Sequence, residues 1–338
     1  MTALAHLSYS ERFKEDGVVC LRDVLAPSEV EGLRAVADAQ IEAHLTELKG
    51  LNLDAFAREL WEPAGRGESF GTPDFDLAAL RRAIRADPDA RPLREAEDAA
   101  KDGLFLYDTG FWRHESAVRS VALDSRLPEL IADILDTSRL HFWDAEAFIK
   151  LAHTAQRTAF HQDLSYMQAK GQKCASVWIP LDVADSENGT MQYVRGSNRW
   201  NRLFAPNALV AQTPLPASRL PKLPDIEGNM ADFDIISFDV KPGDVIIHEG
   251  RTVHGSGGNN SHRPRRAFSL QYCGDDVRYH KRAGRFFSSR MTHSLLPGDA
   301  LFAKDYPVVW PRPWPQLLLA DLYAGAEPKA LEGKQSPA

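Results

Sequence analysis

The chain has 338 residues, 43% of them hydrophobic and 26% charged. That is enough apolar content for a sizeable core, in a length that an all-β fold with helical insertions can fill as one unit. A net charge of −7 excludes roles that need a concentrated basic surface, so no nucleic-acid partner is expected. No apolar run approaches the roughly 18 residues of a membrane helix, and no secretory signal opens the chain, so no membrane partner is expected. With Cys20, Cys174 and Cys273 odd in number and far apart, this predicts a cytoplasmic protein with reduced, buried thiols.

In chain order, the opening reads helix, strand, helix. A short polar helix over residues 9–15 leads into strand formers at residues 17–25, and Pro27 then starts a helix with apolar residues at helical spacing. Gly, Pro and charge cluster after residue 62, so residues 62–113 read as an insertion or lid. LPELIADIL, from Leu127 to Leu135, is an amphipathic helix. Strand signals follow at residues 140–149, around His161, and at 175–181, 190–194, 234–240, 244–248 and 266–273, separated by turn signals such as Asn188-Gly189 and Pro242-Gly243. Residues 198–230, rich in proline, form a long interruption of the functional kind. Residues 1–317 are expected to make one domain. Residues 306–315 should be extended and proline-stiffened, and the tail 318–338 partly disordered. Many short strands behind an early helical layer predict a mainly β protein with flanking helices, a jelly roll.

The chemistry is carried by AFHQDLSY, residues 159–166. On an extended backbone residues i and i+2 point the same way, so His161 and Asp163 converge. A second imidazole would complete a three-ligand face on an octahedral iron, leaving the other face open. His254, about ninety residues downstream in VIIHEGRTVHGSGGN, is the candidate. His248 is its rival, but HEGRT lacks the second His of a zincin helix, and the turn context favours His254. His248 therefore reads as a supporting or core histidine, and His153 has no motif to support it. His-x-Asp alone is a weak signal in a chain with 11 histidines.

Several motifs in order make the signal specific. FKEDGVVCLRDVLAPSEVEGLR, KLAHTAQRTAFHQDLSY, VWIPLDVADSENGTMQYVRGS and FDVKPGDVIIHEGRTVHGSGGNNSHRPRRAFSLQY resemble the phytanoyl-CoA dioxygenase family of iron(II)- and 2-oxoglutarate-dependent oxygenases. The resemblance implies a double-stranded β-helix, the cupin-like form of the jelly roll. It implies His161, Asp163 and His254 as iron ligands and Arg265 as the partner of the far carboxylate of 2-oxoglutarate, a task suited to a planar guanidinium. It also implies Ser256, Trp178 and, more weakly, Lys150 as co-substrate contacts. The expected cofactors are Fe(II), 2-oxoglutarate and dioxygen, with ascorbate as a helpful reductant. Two departures stand out: Val194-Arg195-Gly196-Ser197-Asn198 replaces the family's usual turn, and Phe160 stands where Trp is common.

Alternation on the last strand separates Arg265, Ala267, Ser269 and Gln271 from Arg266, Phe268, Leu270 and Tyr272. The first set suits a wet cavity, so Arg265 is the chosen arginine. The expected reaction is hydroxylation of an unactivated C–H bond of a small organic substrate. The carboxylate of Asp163 argues against halogenation, which needs its place for chloride. Two other readings share the barrel: a cupin-like metal enzyme that does not use 2-oxoglutarate, and a non-catalytic binding module. Arg195, Arg251 and Arg278 hint only weakly at an anionic group, and solvated surface charge is the preferred reading for each. Substrate identity and oligomeric state are not legible.

Overall fold

The computed structural model describes residues 8–47, 103–215, 218–282, 295–301 and 306–311. Most of the expected insertion 62–113 and the whole tail 318–338 lie outside these. Helix α1 (Tyr9–Asp16) starts at a capping box, in which the Ser8 hydroxyl accepts from Glu11 N and the Glu11 carboxylate accepts from Ser8 N. It stops at Gly17, whose φ of +78° is left-handed. Strand β1 (Val18–Leu21) and helix α2 (Pro27–Glu47) complete the expected helix-strand-helix. Strand β2 (Phe105–Thr109) and the helical stretch α3 (Ser116–Arg119) were not apparent in the sequence pattern; α4 (Leu127–Leu135) was.

The strands that follow are β3 (Leu140–Lys150), β4 (Thr158–His161), β5 (Ala169–Lys170), β6 (Cys174–Pro180) and β7 (Met191–Val194). After a hairpin of β8 (Asn207–Ala208) and β9 (Ala211–Pro214) come β10 (Ile235–Ser237), β11 (Val245–Glu249) and β12 (His254–Ser256). The last are β13 (Arg265–Gly274), β14 (Arg278–Tyr279) and β15 (Val308–Trp310). Of the strand expected over 234–240, the three residues of β10 pair with β7, and Val240 forms a separate antiparallel bridge with Ala184.

Two antiparallel sheets make the jelly roll. The larger has seven strands in the order β1-β11-β6-β13-β3-β15, with β2 beside the far half of β3; the smaller runs β10-β7-β12-β4. Period-2 alternation assigns each strand's faces. Ala175, Val177 and Ile179 of β6, Val245 and Ile247 of β11, and Phe268, Leu270 and Tyr272 of β13 join one core with Phe13, Leu33, Ile131 and Ile134 of the helices. Their neighbours Ser176, Trp178, His248, Arg265 and Ser269 point the other way, between the sheets. Arg266, on the helix side, pairs with Asp182 at 2.6 Å and with Asp38. The division of β13 is the one its alternation predicts.

No described helix is long and apolar enough to cross a membrane. All three cysteines are free. The segment 198–230, described except at 216–217, lies over β4. Asn207 Nδ2 donates to Phe160 O at 2.7 Å, Ala159 N donates to Leu209 O at 2.8 Å, and Phe204, Leu223 and Ile226 pack on Phe160.

Phe142 sits at the centre of the helix-side core, fully buried, edge-on to Trp112 at 5.1 Å and to Tyr272 at 5.3 Å. Phe142→Ala is expected to lower unfolding free energy by about 3–5 kcal/mol, read from the urea midpoint. A loss below about 1 kcal/mol would mean this ring does not carry the packing described.

Candidate metal centre

Two short strands create the site. β12 lies antiparallel to β4 with His254 opposite His161, and the register shifts by Ser256. Gly255 permits the approach: a Cβ there would meet Thr158 O at 2.8 Å and Phe160 N at 3.1 Å. Asp163 opens the 3-10 turn that follows β4. The result brings ligand atoms of His161, Asp163 and His254 within 4.8 Å of one another, all three residues buried. Asp163 Oδ1 is 3.4 Å from His161 Nε2 and 3.3 Å from His254 Nε2.

The second contacts of each residue fix its orientation. His161 Nδ1 lies 2.7 Å from Ala159 O, and His254 Nδ1 2.9 Å from Thr252 O. A carbonyl can only accept, so both Nδ1 atoms carry hydrogen and both Nε2 atoms present a lone pair. Asp163 Oδ2 accepts from Ser176 Oγ at 2.5 Å and from His248 Nε2 at 2.9 Å. Tyr193 OH lies 3.4 Å from His248 Nδ1. Burial favours the neutral acid at Asp163, but the surrounding imidazoles outweigh it and hold the carboxyl well below its usual range. His161 is held below its usual value, by burial first and His254 second. Two nitrogens and one carboxylate oxygen on one face suit a ferrous ion with open positions.

The loop carrying His254 is tied to the start of the chain. Gly17 O accepts from Glu249 N at 2.9 Å and from Thr252 Oγ1 at 2.8 Å, and a Cβ on Gly17 would collide with the same hydroxyl. Ser197, in the turn that departs from the family's pattern, accepts from Val253 N at 2.8 Å and donates to Val194 O at 2.6 Å.

Beside the triad lie the other expected residues. Arg265 and Lys150 are opposite each other on β13 and β3 and are almost fully buried. Lys150 Nζ donates to Ser256 Oγ at 2.8 Å and to Gly257 O at 2.6 Å. Arg265 donates to Phe148 O at 2.9 Å, while its Nε has no partner among the described residues. Trp178 lines the same cavity, its ring 5.7 Å from the Arg265 guanidinium and its Nε1 without a partner among the described residues. Burial pushes Arg265 down to about 10, which leaves it charged at neutral pH. Burial and then Arg265 hold Lys150 well below its usual value. Among the described residues neither cation has a carboxylate partner at ion-pair distance. That arrangement is costly unless an anion is meant to enter.

Sequence reasoning missed Ser176 and Glu146. Ser176 sits in CASVWIP, where a hydroxyl in a buried strand gives no signal. Glu146 lines the cavity with the triad and was hidden in a strand of apolar neighbours. His248 stands behind Asp163. His153 lies elsewhere, its Nε2 2.9 Å from His262 Nδ1.

The family model for phytanoyl-CoA dioxygenase matches residues 13–267. A protein of Arabidopsis thaliana named phytanoyl-CoA dioxygenase is 28% identical over 120 residues, which are 34% of this chain and 38% of that protein. The match thus spans well under two thirds of that relative. Among solved structures, the non-heme alpha-ketoglutarate-dependent carbocyclase SnoK from nogalamycin biosynthesis is similar with a TM-score of 0.58 and 20% identity, over 90% of this chain and 97% of that one. The epimerase SnoN, crystallised with Fe3+, alpha-ketoglutarate and nogalamycin RO, gives 0.54 and 18%, over 89% and 97%. EctD from S. alaskensis, with 2-oxoglutarate and 5-hydroxyectoine, gives 0.53 and 16%, over 89% and 88%. At these identities the likeness is one of fold.

Ser176→Ala removes one of the two hydrogen bonds that aim Asp163. It is expected to weaken iron(II) affinity about 10–100-fold, measured by competition with a chromogenic chelator. Unchanged affinity would show that the hydroxyl does not orient the carboxylate.

Proposed function

The chain belongs to the phytanoyl-CoA dioxygenase family, and from that premise we propose that it is an iron(II)- and 2-oxoglutarate-dependent oxygenase that hydroxylates an unactivated C–H bond of a small organic substrate. His161, Asp163 and His254 would hold the iron. Bound iron, with 2-oxoglutarate and dioxygen, supplies the oxidising power, and 2-oxoglutarate leaves as succinate and carbon dioxide.

The observation that carries the co-substrate half of this reading is the buried pair Arg265 and Lys150, which among the described residues have no carboxylate partner beside the triad. A dicarboxylic keto acid supplies the missing negative charge. Arg265 is suited to hold its far carboxylate through the guanidinium fork, whose Nε is unpartnered. Ser256 and Lys150 are already joined by a hydrogen bond, so they present a ready-made pair of polar groups. Trp178 would close one side of the same space and keep water from the reacting atoms. A cupin-like metal enzyme indifferent to 2-oxoglutarate would leave these buried cations without a purpose. A binding module would not need the triad.

Arg265→Ala is expected to raise the Kd for 2-oxoglutarate by about 100-fold or more, as loss of a buried charge-assisted pair predicts. The measurement is a titration of the anaerobic iron(II) protein, followed by its visible charge-transfer band. Asp163→Ala is expected to abolish succinate formation from 2-oxoglutarate in the presence of iron(II) and ascorbate. Full succinate formation by Asp163→Ala, or wild-type 2-oxoglutarate affinity in Arg265→Ala, would overturn the proposal.

A further inference from the structure

The face of β3 that presents Lys150 also presents Phe148 and Glu146, at alternating positions opposite Arg265, Ala267 and Ser269 of β13. Along a strand rising about 3.3 Å per residue, Glu146 and Lys150 are attached roughly 13 Å apart, with Phe148 between them. The cavity that holds the triad is therefore polarised. Arg265 stands at one end of this wall, with Lys150 opposite it on β3, and a carboxyl group stands at the other.

Among the described residues Glu146 is held by neutral donors only. Tyr107 OH donates to its Oε1 at 2.7 Å and Gln271 Nε2 to its Oε2 at 3.0 Å. These contacts aim the carboxyl group without balancing a negative charge, and each oxygen keeps capacity for a further donor. Among the described residues no arginine, lysine or histidine forms an ion pair with it. Asp144 and Asp163 both add negative potential nearby, and burial with these neighbours pushes Glu146 up to about 8. The adjacent rings of Tyr107 and Phe148, with centroids 5.1 Å apart, offer aromatic faces of the kind that attract cations.

We propose that Glu146 is a specificity-determining residue that recognises a positively charged nitrogen, an ammonium group, on the substrate. The substrate would lie with its cationic group against Glu146, Tyr107 and Phe148, at the end of the wall away from Arg265 and Lys150. This rests on the reading above for the place of 2-oxoglutarate. The two charged ends then sort the two molecules, because an anion is repelled from the Glu146 end and a cation from the Arg265 end.

The test uses matched probes: n-butylammonium against n-butanol, and benzylammonium against benzyl alcohol. Their binding to the full-length, metal-free chain is measured by ligand-observed NMR at pH 8.5, above the value of about 8 to which burial pushes Glu146 and where both amine probes still carry their proton. The wild-type protein should bind each cation more tightly than its neutral partner. Glu146→Gln should reduce that preference roughly tenfold, the scale of one charge-assisted hydrogen bond. Glu146→Asp should retain it, because the charge survives; a merely structural role for the side chain would move both variants alike. No preference for the cations in the wild-type protein, or a preference that persists in Glu146→Gln, overturns the assignment. A separate 2-oxoglutarate titration with iron(II) reports on the co-substrate end: failure there would fault the preceding reading, and failure of the probe pairs alone would fault this one.

Discussion

The carboxylate of Asp163 is the constraint on which the rest of this structure depends. An ionised carboxylate far from water is stable only when its oxygens are supplied with donors or positive charge. Its Oδ2 draws Ser176 from β6 and His248 from β11, both in the larger sheet. Its Oδ1 faces His161 and His254, from β4 and β12 of the smaller sheet. One side chain thus joins the two layers of the barrel, its Oδ2 hydrogen-bonded to the larger sheet and its Oδ1 turned to the two imidazoles of the smaller one. The contacts that hold those rings are separate: Ala159 O for His161 and Thr252 O for His254.

Around that junction, polarity is distributed by strand alternation. On β13 the outward residues are Phe268, Leu270 and Tyr272, packed under the helices. The inward ones, Arg265, Ser269 and Gln271, line or approach the cavity. β3 repeats the arrangement with Glu146, Phe148 and Lys150. A one-residue slip of either strand would exchange charge for hydrocarbon on both faces, so the long β3–β13 pairing protects register and chemistry together.

What could be read from the sequence, and what could not, follows from the range of each signal. The face of β13 was legible because alternation is local. The segments that carry the candidate ligands stood out because several motifs follow one another in a fixed order, and no single one of them would have sufficed. β2 was missed because FLYDT is short and follows a charged stretch without strand character. β10 proved shorter than the apolar run 234–240, since only Ile235, Ile236 and Ser237 find partners on β7. Ser176 and Glu146 escaped notice for a different reason: their significance lies in what folding places beside them. Ser176 is read only against Asp163, and Glu146 only against Tyr107 and Gln271.

The tie between Gly17 and the loop bearing His254 reaches further than local geometry. Thr252 Oγ1 and Glu249 N both donate to the Gly17 carbonyl at the first helix-to-strand junction, so the docking of α1 and β1 and the ordering of the His254 imidazole are coupled. By linkage, whatever occupies the triad must also tighten the amino-terminal segment against the barrel, and by the same amount that segment strengthens the occupant's grip. The junction at Gly17, distant from His254 in sequence but joined to its loop in space, thereby acts as an adjustable reserve of affinity.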